Sequence, residues 1–183
     1  GKTCLMGSFI YSNVRDIHGT GAGDVWAVSN RVTDKANPLA IHWNGSSWKE
    51  YPLSLVLNDG HEWWDTGNCA IGGLYCPGGG NVWLAGSSKD GATLLKFDGR
   101  EWEKERAYSG SGFRAIEGTS SNNIWASGPA DYGDNLLFHF DGEDWVRYSG
   151  DLGGVRGFEL LTVLSSWEAY GYASGRLYRF DGA

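Results

Sequence analysis

The chain repeats itself, and the repeat limits its fold more than any other feature. A short apolar segment built on Trp occurs as GDVWAVS (23–29), GNVWLAG (80–86) and NNIWASG (122–128). A second element follows each copy: IHWNGSSW (41–48), LKFDGREW (95–102) and FHFDGEDW (138–145). A fourth, altered copy reads WEAYGYASG (167–175) and then LYRFDG (177–182), with Tyr170 in place of the first Trp. From Gly45 to Gly99 is 54 residues, from Gly99 to Gly142 is 43, and from Gly142 to Gly182 is 40. Upstream of each first aromatic lies another apolar segment: NVRDIHG, CAIGGLY, FRAIEG and FELLTVL. Taking Ile17, Ile71, Ile116 and Leu161 as its key residues gives leads of 9, 12, 9 and 9 residues.

Each unit reads as four short strands. In the third copy these are FRAIEG, NIWASG, LLFHF and WVRYS, separated by GTSSNN, PADYGD and DG. The segments are apolar or alternating and are bounded by Gly, Asn, Asp and Ser, the pattern of short strands between turns. The Asp-Gly and Asn-Gly pairs suit tight turns, because Gly adopts positive φ without a Cβ clash. No segment carries a helical period over a full window. The expectation is an all-β chain of four repeated units, covering about 10–52, 69–108, 112–149 and 156–183 of a single domain. The 29 glycines among 183 residues then have a cause, since most fall in turns.

Four-stranded units of this length, with Trp and Gly at fixed places, resemble β-propeller blades. The pair (D/N)-(V/I)-W-A…(F/W)-(D/N)-G-x-x-W resembles, more narrowly, the Trp-rich propeller repeats of secreted bacterial proteins. The Gly-His and Trp-Asp pairs of WD repeats are missing, and the double glycine of kelch repeats is not kept in place. Likeness to the sialidase Asp-box is loose, and no motif places sialidase arginines. The resemblance implies a four-bladed propeller and leaves activity open.

The last unit lacks an outer strand, and residues 2–9 have the length to supply it. The strand would be added within one chain or exchanged between two, the latter giving a homodimer. A longer propeller, of which these residues are a part, is the third arrangement.

Composition narrows the partners. With 15 basic against 22 acidic residues the net charge is −7, which disfavours a nucleic-acid face. No apolar run is long enough for a transmembrane helix, and no intact secretory signal is visible at the first residues. An acidic, Trp-rich, Lys-poor chain fits an exported protein, extracellular or periplasmic. Cys69 and Cys76 are disulfide candidates. A straight strand between them would put their Cα atoms about 20 Å apart, far beyond the roughly 7 Å a bond tolerates. A local insertion could fold the chain back. Cys4 is left over.

Trp26, Trp83 and Trp125 share one repeat position, and Trp48, Trp102 and Trp145 another. Such recurrence reads as packing between blades. Asn44, Asp98, Asp141 and Asp181, each before Gly, read as turn formers. His42 and His139 also share a position and read as structural. The residues that break the repeat lie in LNDGHEWWDTGN (57–68), where Trp63 and Trp64 stand among Asp59, His61 and Asp65. Aromatic rings beside carboxylates suit a sugar, the ring taking its apolar face and the polar groups its hydroxyls. The same pair could be a protein hot spot, or could fold back and cap the propeller.

Connecting loops and second-to-third-strand loops should share one face of a propeller, where binding residues concentrate. No zinc motif, nucleophile elbow or phosphate loop is complete. Asp131, Asp134 and Asn135 offer oxygens without the spacing of a calcium loop. No cofactor or metal is called for. The sequence thus points to a non-catalytic, glycan-binding module using Trp63, Trp64, Asp59, His61 and Asp65. A protein-interaction or assembly scaffold is the alternative.

Overall fold

The computed structural model describes residues 11–32, 38–57, 70–129, 136–148, 152–166 and 168–180. Within them the chain forms four antiparallel sheets, each a meander of consecutive strands. The first blade holds β1 (Tyr11–Gly21), β2 (Asp24–Val32), β3 (Leu39–Trp43) and β4 (Trp48–Pro52). The second holds β5 (Ala70–Gly78), β6 (Asn81–Ser88), β7 (Gly91–Phe97) and β8 (Trp102–Tyr108). The third holds β9 (Ala115–Ser120), β10 (Asn123–Ser127), β11 (Leu137–Phe140) and β12 (Trp145–Arg147). The fourth has three strands among the described residues: β13 (Leu160–Val163), β14 (Ala169–Ala173) and β15 (Arg176–Phe180). Residues 2–9, expected to complete it, lie outside the described residues. One helical turn, α1 (Ser54–Leu57), interrupts the β pattern. It fits Leu53 and Leu57, both fully buried, into the core between the first two blades.

Register corrects one reading. The residue opposite the position after each repeat aromatic is Ile17, Leu74, Ile116 and Leu161. Leu74, not Ile71, is therefore the second blade's equivalent, and the lead of nine residues holds in all four copies. Ile71 pairs with Gly86 farther along the strand, beyond a bulge between Ile71 and Gly73. The apparent three-residue insertion is an artefact of choosing the wrong apolar residue.

The turns before each fourth strand follow one chemistry. Asn44 Oδ1 accepts from the backbone N–H groups of Ser46 and Ser47 at 3.0 and 2.9 Å. Asp98 does the same for Arg100 and Glu101, and Asp141 for Glu143 and Asp144. These bonds hold both aspartates below the usual carboxylate pKa. The following glycines have φ of 92°, 98° and 108°, which L side chains avoid.

Each blade has an incoming face, toward the blade before it, and an outgoing face, toward the next. In the first wedge Trp26, Val28 and Ala40 meet Leu74, Leu84, Leu95, Phe97 and Trp102. The Trp26 ring lies 4.9 Å from Phe97 and stands edge-on to Trp102 at 5.7 Å. The second wedge repeats this, with Trp83 at 5.0 Å from Phe140 and 5.4 Å from Trp145. In the third, Leu137, Trp125 and Tyr148 face Phe158, Leu161, Tyr178 and Phe180. Trp48 packs on the incoming face of the first blade with Ala27, Leu39 and Ile41.

Burying one such ring removes about 150–250 Å² from water, a gross gain near 4–6 kcal/mol. Ring geometry adds only about 0.5–1.5 kcal/mol, so burial holds the wedges. The fold is all-β, with propeller blades in four consecutive copies.

Candidate functional site

In the first, third and fourth blades a polar residue two positions before the repeat aromatic clasps it by accepting a hydrogen bond from it. In the first blade Asp24 Oδ1 accepts from Trp26 Nε1 at 3.2 Å and from His42 Nε2 at 2.8 Å. The Thr20 hydroxyl donates to the other carboxylate oxygen, and His42 lies flat on Trp26 at 4.2 Å. In the third blade Asn123 Oδ1 accepts from Trp125 Nε1 at 3.3 Å and His139 Nε2 at 2.9 Å. In the fourth, Glu168 Oε1 accepts from the Tyr170 hydroxyl at 3.0 Å and Arg179 Nε at 3.1 Å. In the second, Lys96 sits over the Trp83 ring, 5.3 Å from its centre.

The partner residue is the direct cross-strand neighbour of the aromatic in all four cases. An Asp–His pair 2.8 Å apart has the look of a catalytic dyad. Its recurrence with Asn123 and Glu168, and its ring stacked on a core Trp, identify it as packing. Burial pushes the Asp24 carboxyl up, but bonds from Thr20, His42 and Trp26 and the imidazole charge outweigh it and leave the pKa lowered. Burial lowers the pKa of His139, against a smaller pull from Asp141. Sequence reading found the shared position of His42 and His139 but missed the acceptor that both use.

Trp63, Trp64, Asp59, His61, Asp65 and Cys69 lie outside the described residues, as do Asp131, Asp134 and Asn135. Cys76 is a buried free thiol in the first wedge. Burial, with Asp24 and Asp16 nearby, pushes its pKa up to about 12, so it is a poor nucleophile.

A cleft of about 540 Å³ opens between the third and fourth blades, within the size range of small-ligand sites. Pro129, the connecting segment 153–157 and the turn at Ser174 line it, together with Glu159, Arg176 and Tyr178. The expected sharing of one face by connecting and second-to-third-strand loops is therefore present here. Backbone bonds tie down the connecting segment beside it: Leu136 N–H donates to Arg156 O at 2.7 Å, and Gly128 N–H to Leu136 O at 3.0 Å. Phe158 N–H donates to the buried Ser127 hydroxyl at 2.7 Å.

Arg156 and Arg176 both reach this cleft, and neither has an ion pair among the described residues. Two uncommitted guanidiniums in a chain of net charge −7 give the cleft a local polarity opposite to that of the whole. The signal was present in GGVRG and SGRL, which no repeat position explains, but arginines in Gly-rich turns carry no spacing motif.

A second polar group lies on the first strands of the blades. Asp16 Oδ2 accepts from Leu74 N–H, and Oδ1 from Ile17 N–H, each at 2.8 Å. Glu117 is raised by burial and by the Asp16 charge. Tyr75 is raised by burial and by Glu117, and its ring meets His18 at 5.4 Å. Among the described residues no three His, Cys, Asp or Glu side chains form a metal-holding group. No helix among them is long and apolar enough to cross a membrane.

The architecture defines a β-propeller repeat protein. No family model matches the chain, and no curated protein matches it. Among solved structures it is similar to YCF48 from Cyanidioschyzon merolae, with a TM-score of 0.54 and 16% identity. The match covers 90% of this chain and 52% of that one, so the chain spans about half of its solved neighbour. That neighbour is a β-propeller, and the likeness establishes the fold.

Proposed function

We propose that this chain is a non-catalytic, lectin-like binding module that takes glycans on its loop face. The observation that supports this best is the cleft between the third and fourth blades, which Arg156 and Arg176 line without an ion pair among the described residues. Two guanidiniums suit the carboxylate of an acidic sugar, each charge-assisted bond contributing about 1.5–3 kcal/mol. Glu159 would accept sugar hydroxyls, and the Tyr178 ring offers an apolar face. Trp63 and Trp64, with Asp59, His61 and Asp65, would add a second contact set. An extracellular or periplasmic setting, where glycans are met, goes with this reading.

A glycan array carrying neutral and uronate-bearing saccharides tests it. Wild type should bind acidic members, and Arg156→Ala/Arg176→Ala should weaken that binding by tenfold to about a hundredfold. Trp63→Ala/Trp64→Ala should weaken neutral and acidic binding alike. No binding by wild type, or equal binding by both double variants and wild type, would overturn the reading.

A further inference from the structure

The three charged side chains that line the cleft all stand where the repeat holds something else. Arg176 is three residues before the cross-strand partner of the repeat aromatic, a place that holds Leu39, Thr93 and Leu136 in the first three blades. Those three are buried, at 6%, 1% and 2% exposure, whereas Arg176 is exposed. Arg156 is five residues before Leu161. Its counterpart five residues before Ile116 is Ser111, whose hydroxyl donates to Pro129 O at 2.9 Å. Glu159 is two residues before Leu161, at a place that holds Arg15, Gly72 and Arg114 in the other blades. The backbone bond at that place is shared: Glu159 N–H donates to Tyr172 O at 2.9 Å, as Arg114 N–H does to Ser127 O at 2.7 Å. Between the third and fourth blades only the side chain changes there, from a base to an acid.

Two arginines account for an anion site. A carboxylate beside them does not, because it repels the anion they hold. None of the three has an ion pair among the described residues, so Glu159 is not taken up in neutralising either guanidinium.

We infer that Glu159 sets the specificity of this cleft, which takes a uronate with free hydroxyls and refuses a sulfated one. This rests on the loop-face reading and deepens it. The guanidiniums hold the sugar carboxylate by charge-assisted bonds. A carboxylate only accepts hydrogen bonds, so Glu159 requires donors from the rest of the sugar, and free hydroxyls supply them. A sulfate ester removes that donor and sets a negative group against Glu159. Like charges brought together in this way are a standard means of rejecting the wrong ligand. The sign of the lining agrees: two arginines and one glutamate leave a single positive charge, which one carboxylate neutralises and a second anionic group exceeds.

Binding to immobilised oligosaccharides of galacturonate, glucuronate and mannuronate, each plain and chemically sulfated, is the test. Wild type should prefer the plain member of at least one pair by about tenfold or more. Glu159→Gln keeps an acceptor oxygen and removes the charge, so it should shrink the preference to about threefold or less. Glu159→Arg restores the residue type of the first and third blades, which that backbone accepts, and should reverse the preference toward the sulfated member. Near-ultraviolet dichroism of the tryptophans should be unchanged in both variants, showing that the blades remain folded. Arg156→Ala/Arg176→Ala should weaken plain and sulfated binding alike.

A wild type that binds none of these saccharides would overturn the loop-face reading and this inference with it. Equal or tighter binding of the sulfated members by wild type would overturn the inference alone. So would a preference that neither Glu159 substitution moves.

Discussion

The second wedge and the fourth blade are built from the same repeat and end in opposite conditions. In the wedge, Trp83 is buried to 2% exposure against Phe140 and Trp145, with Leu94 and Phe138 sealed beside it. In the fourth blade Tyr170 replaces Trp, is only half-buried, and shares its face with an open Leu177. Strand pairing is of the same kind in both, so hydrogen bonds do not separate them. What differs, among the described residues, is a neighbour on the outgoing side. A blade in this chain takes much of its stability from the next one, as expected of nearest-neighbour repeat assemblies.

Paired substitutions can break that comparison, the largest effect first. Trp83→Ala should cost about 3–5 kcal/mol in denaturant unfolding, the usual loss for a buried aromatic. Tyr170→Ala at the same repeat position should cost less than about 2 kcal/mol. Equal losses would mean that the fourth blade is as well supported as the second.

Next come the glycines three residues after the aromatic. A Cβ on Gly86 would lie 2.1 Å from Ala70 O, and one on Gly128 would lie 2.2 Å from Gly112 O. Both contacts are with backbone entering the same blade, which cannot swing aside. The fourth blade holds Ala173 at this position, buried and packed in the third wedge. Gly128→Ala should therefore destabilise by about 1–3 kcal/mol through overpacking. A thermal melt that shows no loss would contradict the close approach.

The smallest effects are in pH. His139 has a lowered pKa because of burial, so the folded state resists its protonation. Its contribution is full above the unfolded value near 6.5 and is lost as pH falls below it. Glu117 is raised, so its contribution is present below about 4.5 and is lost as pH rises through the folded value. Glu117→Gln should then stabilise the protein near neutral pH, by less than about 1 kcal/mol given partial exposure, with the gain vanishing in acid. Melting curves of the variant at acid and neutral pH check this, and a gain that persists unchanged at low pH would count against it.

Much of this was legible in the sequence because its signals are periodic. The Trp pitch, the Asn/Asp-Gly turns and the four-strand units depend on residues that recur for local reasons. Ile71 misled because CAIGGLYC holds two apolar candidates three residues apart, and only the bulge at Gly72 decides for Leu74. Helix α1 was missed because one turn is too short to show a period. The clasp was half visible: His42 and His139 align, but Asp24, Asn123 and Glu168 differ in type and hide their common role. Arg156 comes from the segment connecting the third and fourth blades and Arg176 from the fourth blade's third strand, so no single repeat position holds both. The openness of the fourth blade depends on what stands beside it, which no repeat unit encodes.

Residue-resolved hydrogen exchange under native conditions tests the central claim most directly, that a blade's stability depends on having a neighbour. Amides of β6 and β10, which flank the second wedge, should be the most protected. Those of β14 and β15 should exchange earliest, by local opening that leaves the second wedge intact. Uniform protection across all four blades, or β14 outlasting β6, would contradict it.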